Sequence, residues 1–173
     1  MTAPELAAAA DVPTILAERV VAARDLGSCL ARIPTDNRSL AVSYDVERHL
    51  PLGFERYEIE VLVALVLSPT LDVQAVVLLA KGGGSVVSLF ARDVFIPIVR
   101  LGARALVLVH NHPAGDPTPS KEDVVFTNKI ASAGLALGIE LIDHVIVAAR
   151  GLFSFRDASL MPTADELKSD EPF

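Results

Sequence analysis

Half of the chain's four histidines fall within three positions, in His110-Asn111-His112, and Ser120 and Asp123 follow at short intervals. Two imidazoles and a carboxylate are the ligand types of a catalytic zinc site, which keeps its fourth position open for water. Zinc brings the pKa of such a water to about 7, so the pattern points first to hydrolysis. The histidines stand where the apolar run Ala105–Val109 gives way to a loop rich in Pro and Gly. In an extended chain, residues two apart point to one side, so both imidazoles can face one ion while Asn111 points away and serves as a hydrogen-bonding residue. Asp123 falls in the first turn of the helix expected next, whose start the loop can fold back toward the strand end.

The same segment has a plainer meaning. Ser120-Lys121-Glu122-Asp123 reads as a helix N-cap with a reciprocal carboxylate. The two readings are compatible, because a helix start can cap itself and still present its hydroxyl to a site. Hydrolysis also needs a base for the water's proton, and a carboxylate from another segment is the usual choice. Glu60 and Glu58 are the candidates, both at the front of a strongly apolar run and on one face by alternation. A glutamate in that place is also an ordinary solvated edge residue. His144, after Asp143 at the start of a later strand, suits either a hydrogen bond to a ligand or a structural one. His49 has no partner in sequence and reads as a surface residue.

These side chains require a scaffold of strands and helices. Residues 1–12 read as a loose tail. Apolar positions at three- and four-residue intervals predict a helix from Pro13 to Ala31, stopped by Pro34-Thr35-Asp36-Asn37, and a shorter helix is expected over 44–50. Glu60–Leu67 and Val73–Leu79 read as a hairpin of two strands around Ser68–Asp72, with Gly82-Gly83-Gly84 as a further turn and Ser85–Phe90 as a third strand. A helix is expected over Arg92–Leu101, a buried strand over Ala105–Val109, and a helix over Ser120–Gly138. Glu140–Ala148 and Leu152–Phe155 are closing strands. The expected organisation is a helical extension over 1–56, a core over 57–156 and a disordered acidic tail over 157–173. Helices on a mixed sheet make an α/β or α+β sandwich, not a bundle or a barrel.

Composition narrows the setting. A formal net charge of −7 weighs against a protein whose main task is gripping nucleic-acid phosphates. Cys29 is the only cysteine, which excludes an internal disulfide and suits a small buried hydrophobe in a reduced, cytoplasmic protein. No apolar run reaches the ~18 residues of a membrane span, and Met1–Ala10 lacks the basic start of a secretory signal.

The pattern H-x-H-x(7)-S-x-x-D, carried by His110, His112, Ser120 and Asp123, resembles the metal signature of the JAMM (MPN+) metalloproteases. The text around it, from Val109 through Asp123, with Ala91–Phe95 before and Leu141–Val147 and Phe153–Phe155 after, is similar to the bacterial RadC branch. The resemblance covers residues 57–156. It implies an MPN/JAMM (cytidine-deaminase-like) mixed sheet flanked by helices, and one Zn²⁺ held by His110, His112 and Asp123. It further implies Ser120 as a donor to the oxyanion, Glu60 as the general base with Glu58 as the fallback, and hydrolysis of a peptide or isopeptide bond. RadC proteins commonly carry a helix-hairpin-helix region of DNA-binding type, but the residues before the core hold no Gly-rich hairpin and little basic character. A DNA-repair accessory and a catalytically silent MPN scaffold are the alternative readings. The contiguous His-Asn-His is not an HNH nuclease unit, whose residues are spread over a longer segment.

Overall fold

The computed structural model describes residues 2–30, 43–82 and 89–169. The chain divides into two compact units, Met1–Ile33 and Pro34–Phe173. The first unit is a pair of helices, α1 (Ala3–Ala10) and α2 (Thr14–Leu30). The expected loose N-terminal tail is therefore corrected. Thr2 and Glu5 form a reciprocal cap, Pro4 sits in the first turn, and a run of alanines, the best helix former, completes α1. The side chain of Cys29, residues 34–37 and the strand expected over 85–88 lie outside the described residues. Leu89 and Phe90 are not strand, since Phe90 caps the helix that follows.

The second unit is built on a five-stranded sheet in the order β2-β1-β3-β4-β5. Its strands are β1 (Val61–Leu67), β2 (Val73–Lys81), β3 (Ala105–Asn111), β4 (Glu140–Ala148) and β5 (Gly151–Ser154). The β3–β4 pair is parallel and the other neighbours are antiparallel, so the sheet is mixed, as expected. Helix α3 (Ala91–Arg100) precedes β3, and α4 (Lys121–Leu137) makes the β3–β4 crossover.

All seven residues of β1 and all seven of β3 are buried, and alternation sorts them onto two faces. Leu62, Ala64 and Val66 of β1, with Leu106 and Leu108 of β3, pack against Val94, Phe95 and Ile98 of α3 and Phe126 and Ile130 of α4. Val61, Val63, Leu65 and Leu67, with Ala105, Val107 and Val109, pack against Val46, Leu50 and Phe54. Val46 and Phe54 come from two short 3₁₀ segments, Ser43–His49 and Phe54–Arg56, and Leu50 directly follows the first. The core therefore reaches back before residue 57, into what the sequence assigned to the extension. His49 belongs there too. It is only 9% exposed, and its Nδ1 has no hydrogen-bond partner among the described residues, so the surface assignment is corrected. Within the tail expected to be disordered, Ala164–Ser169 forms a helix, α5, and Leu167 and Met161 pack against the α3–α4 face of the core. No helix among the described residues is long and apolar enough to cross a membrane.

Candidate metal centre

Strand parity places the first candidate ligand. His110 continues the series Leu106, Leu108 on the face that α4 covers, and its side chain is fully buried. Asn111, one residue on, belongs to the opposite face. His112 lies just past the strand, where its N–H still donates to Val147 O of β4 at 3.1 Å. On α4 the buried positions are Asp123, Phe126, Thr127, Ile130, Ala131 and Gly134, a single stripe of three- and four-residue steps. Asp123 opens that stripe and so faces the end of β3.

The three predicted ligands are brought together. His110 Nε2 is 3.0 Å from His112 Nε2 and 3.4 Å from Asp123 Oδ1, and His112 Nε2 is 3.5 Å from Asp123 Oδ2. Ligands at 2.0–2.1 Å around a tetrahedral zinc are about 3.3 Å apart, so these spacings suit such an ion without rearrangement of the chain. The donor chemistry agrees. His112 Nδ1 is 2.8 Å from the carbonyl oxygen of Asp116, which has no hydrogen to give, so Nδ1 carries a proton. The neutral ring turns its Nε2 lone pair into the cluster, whereas the protonated ring donates from Nε2 to Asp123. The residues present fit a metal ion, and His110, His112 and Asp123 could hold one.

Charge in the cluster is uneven. Burial pushes His110 down to about 4, against the attraction of Asp123. His112 is raised, first by its hydrogen bond to Asp123 and in part by the charge of Glu60. Burial alone would raise Asp123, but hydrogen bonds from His112 and Ser120 hold it well below the usual carboxylate range.

Ser120 forms the expected cap. Asp123 N–H donates to Ser120 Oγ at 3.1 Å, while the Ser120 N–H and hydroxyl donate to Asp123 Oδ2 at 2.8 and 2.6 Å. The serine thereby orients the Asp123 carboxylate. The loop between His112 and Ser120 is tied down as well. Gly115 takes a left-handed φ of +80° in the turn, its carbonyl accepts from Arg150 N–H at 3.1 Å, and Asp116 Oδ1 accepts from Thr118 N–H at 2.9 Å.

Glu60 stands immediately before β1. It is half-buried, its carbonyl accepts from Gly82 N–H at 2.8 Å, and its carboxylate lies near enough to His112 to raise that imidazole. Glu58 is exposed. Asn111 holds the segment that carries both glutamates. Its Oδ1 accepts from Val61 N–H at 2.7 Å, and its Nδ2 donates to the carbonyls of Tyr57 and Ile59, each at 3.1 Å. The hydrogen-bonding role read for Asn111 is thus a clamp on the chain either side of Glu60. His144 reaches the site through His110, with its Nε2 2.8 Å from His110 Nδ1. Behind it stands Thr127, a residue the sequence did not single out. Its position four residues after Asp123, on the same helical face, was the available signal.

A family model described as RadC-like JAB domain matches residues 41–160. The chain belongs to this family. A UPF0758 protein of Symbiobacterium thermophilum is 34% identical over 152 residues, which are 88% of this chain and 63% of the relative. One from Desulforamulus reducens is 32% identical over 161 residues, 92% of this chain and 71% of the relative. A UPF0758 protein of Thermotoga maritima is 56% identical over a shorter stretch of 66 residues, 38% of this chain and 30% of the relative. The chain thus spans less than two thirds of the Symbiobacterium and Thermotoga relatives. The matched region of the family model takes in Val46, Leu50 and Phe54, in keeping with their place in the core.

Proposed function

We propose that this RadC-like JAB domain is a zinc-dependent hydrolase that cleaves a peptide or isopeptide bond. The observation that carries the reading is the convergence of His110 Nε2, His112 Nε2 and Asp123 at tetrahedral spacing beside a glutamate whose charge reaches His112. When bound, zinc supplies polarisation of the substrate carbonyl and acidification of a water. His110, His112 and Asp123 hold the ion. Glu60 takes the proton of the attacking water and hands it to the leaving amine, which a carboxylate at the rim of a half-buried site can do. Ser120 orients Asp123 through its cap. To serve an oxyanion as well, its hydroxyl hydrogen turns away from Asp123 Oδ2 while Oγ keeps accepting from Asp123 N–H.

The test combines metal analysis with a broad substrate screen. Purified protein should hold about one zinc per chain, and His112→Ala should lose it. Glu60→Gln should keep the metal and lose about 10²–10⁴-fold in turnover on a mixture of peptides and lysine-linked isopeptides, the range typical of general acid–base catalysis. Zinc no higher in the wild type than in His112→Ala would refute the reading.

A further inference from the structure

The hydrogen-bond chain behind His110 has only one self-consistent direction. Thr127 Oγ1 is 2.6 Å from the carbonyl oxygen of Asp123, and because a carbonyl has no hydrogen, the single hydroxyl hydrogen of Thr127 lies on that contact. Thr127 Oγ1 therefore meets His144 Nδ1, 2.7 Å away, with a lone pair, and His144 Nδ1 is the donor. His144 is fully buried, stacked at 5.0 Å on Phe155 and edge-on to Phe126, and its two nitrogens bond to a hydroxyl and an imidazole. Among the described residues no carboxylate bonds to either nitrogen, so the ring is neutral and its Nε2 accepts. The group 2.8 Å from that Nε2 is His110 Nδ1, which must then carry a hydrogen. This leaves His110 Nε2 with its lone pair, pointing at His112 and Asp123.

We infer that Thr127 and His144 are positioning residues that fix His110 in its Nδ1–H form and so keep its Nε2 free to bind the metal. The inference rests on the metal-centre reading above. The relay starts at the backbone carbonyl of Asp123, so one helical turn of α4 both presents a carboxylate ligand and sets the tautomer of an imidazole ligand on β3. Hydrogen bonds to the far nitrogen of a ligand histidine commonly change metal affinity by about 10–100-fold.

Two readouts test this, and neither depends on a substrate. The first is the tautomeric state of His110 and His144 in metal-free, ¹⁵N-labelled wild type at pH 7.5, from long-range ¹H–¹⁵N correlations. Both rings should be protonated on Nδ1 only, and a proton on His110 Nε2 would overturn the inference. The second is zinc affinity by chelator competition for Thr127→Val and Thr127→Ser, with circular dichroism as the check on folding. Val, which keeps the shape and removes the hydroxyl, should bind zinc about 10–100-fold more weakly, while Ser should stay near wild type. Wild-type affinity in the Val variant, or equal loss in both variants, would overturn it. If the wild type binds no zinc, the hydrolase reading falls, and the tautomer measurement still decides the relay.

Discussion

The four histidines have very different surroundings, and this shapes how the metal-free protein answers to acid. Burial lowers the pKa of His110 to about 4, takes His144 well below its ordinary 6.5, and lowers His49. In the unfolded chain these rings take up protons near pH 6.5, whereas in the folded chain they resist to lower pH, His110 and His144 until well below it. Their contribution is present above about 6.5 and drains away as the pH falls toward their folded values. His112 works the other way, since its raised value adds stability in acid that is lost as the pH rises through it. Asp123 adds stability above the usual carboxylate range that is lost only in strong acid. Three histidines outweigh one. We predict that urea unfolding in the presence of a chelator finds the protein less stable at pH 5 than at pH 7.5. His110 alone accounts for about 2 kcal/mol of this, at about 1.4 kcal/mol per pH unit, and a flat profile would contradict the assignment. The clustering of His110, His112 and Asp123 was legible from residue type and spacing, because strand alternation and a helix cap are local rules. Thr127 and the burial of His49 were not, because both depend on what a distant segment lays against them.

At the level of elements, α4 links the site to the far end of the molecule's core. Its N-terminal turn holds Asp123, and its C-terminal turn ends in a left-handed Gly138, after which Ile139 N–H returns to Gly134 O at 2.9 Å. A methyl group at Gly134 would stand 2.4 Å from Ile139 O and 3.2 Å from Phe95 Cζ. Alanine is ordinarily better than glycine inside a helix by up to about 1 kcal/mol. Here the close approach reverses the sign, and Gly134→Ala should destabilise by about 1–3 kcal/mol, the usual cost of overpacking. The helix rises about 16 Å between residues 123 and 134, so a shift of its axis also reaches the ligand carboxylate. A melting curve and a zinc titration of the variant check both effects, and an unchanged or raised melting temperature would count against this packing. The sequence showed α2, α3, α4 and all five strands of the sheet through periodicity and turn residues. It missed α1, where a run of small residues hides the amphipathic pattern, and α5, whose acidic composition resembles a solvated tail. It read the helical turn over 44–50 but put the start of the core after it, since so short a segment shows no period to mark the face that packs.

Across the whole molecule, the two halves of the site are assembled over different lengths of chain. His110, His112 and Asp123 lie on one short stretch between β3 and α4, whereas Glu60 arrives through β1, with Val61 and Asn111 bonded across 50 positions. Asn111 is the joint between the halves. Replacing it with alanine leaves Val61 N–H and the carbonyls of Tyr57 and Ile59 without that partner, a cost on the order of 1–3 kcal/mol. We expect Asn111→Ala to hold zinc within about threefold of wild type, because no ligand bonds to Asn111, yet to hydrolyse far more slowly because the Glu60 segment is untied. Equal losses of metal and turnover would show that the halves are not separable. The mixed sheet and its flanking helices were readable as an architecture, while this division was not, because it follows from strand pairing rather than spacing.

The unequal spans also bear on how the protein matures. Contacts between near neighbours in the chain form with less entropic cost than those closing long loops. The imidazoles and the aspartate can gather while β1 is still unpaired, so on the proposed reading ion capture would come early and placement of Glu60 late. On the proposed hydrolase reading, metal content is for that reason a poor measure of competent protein. On that reading a preparation can be fully loaded while the Glu60 segment is still out of place.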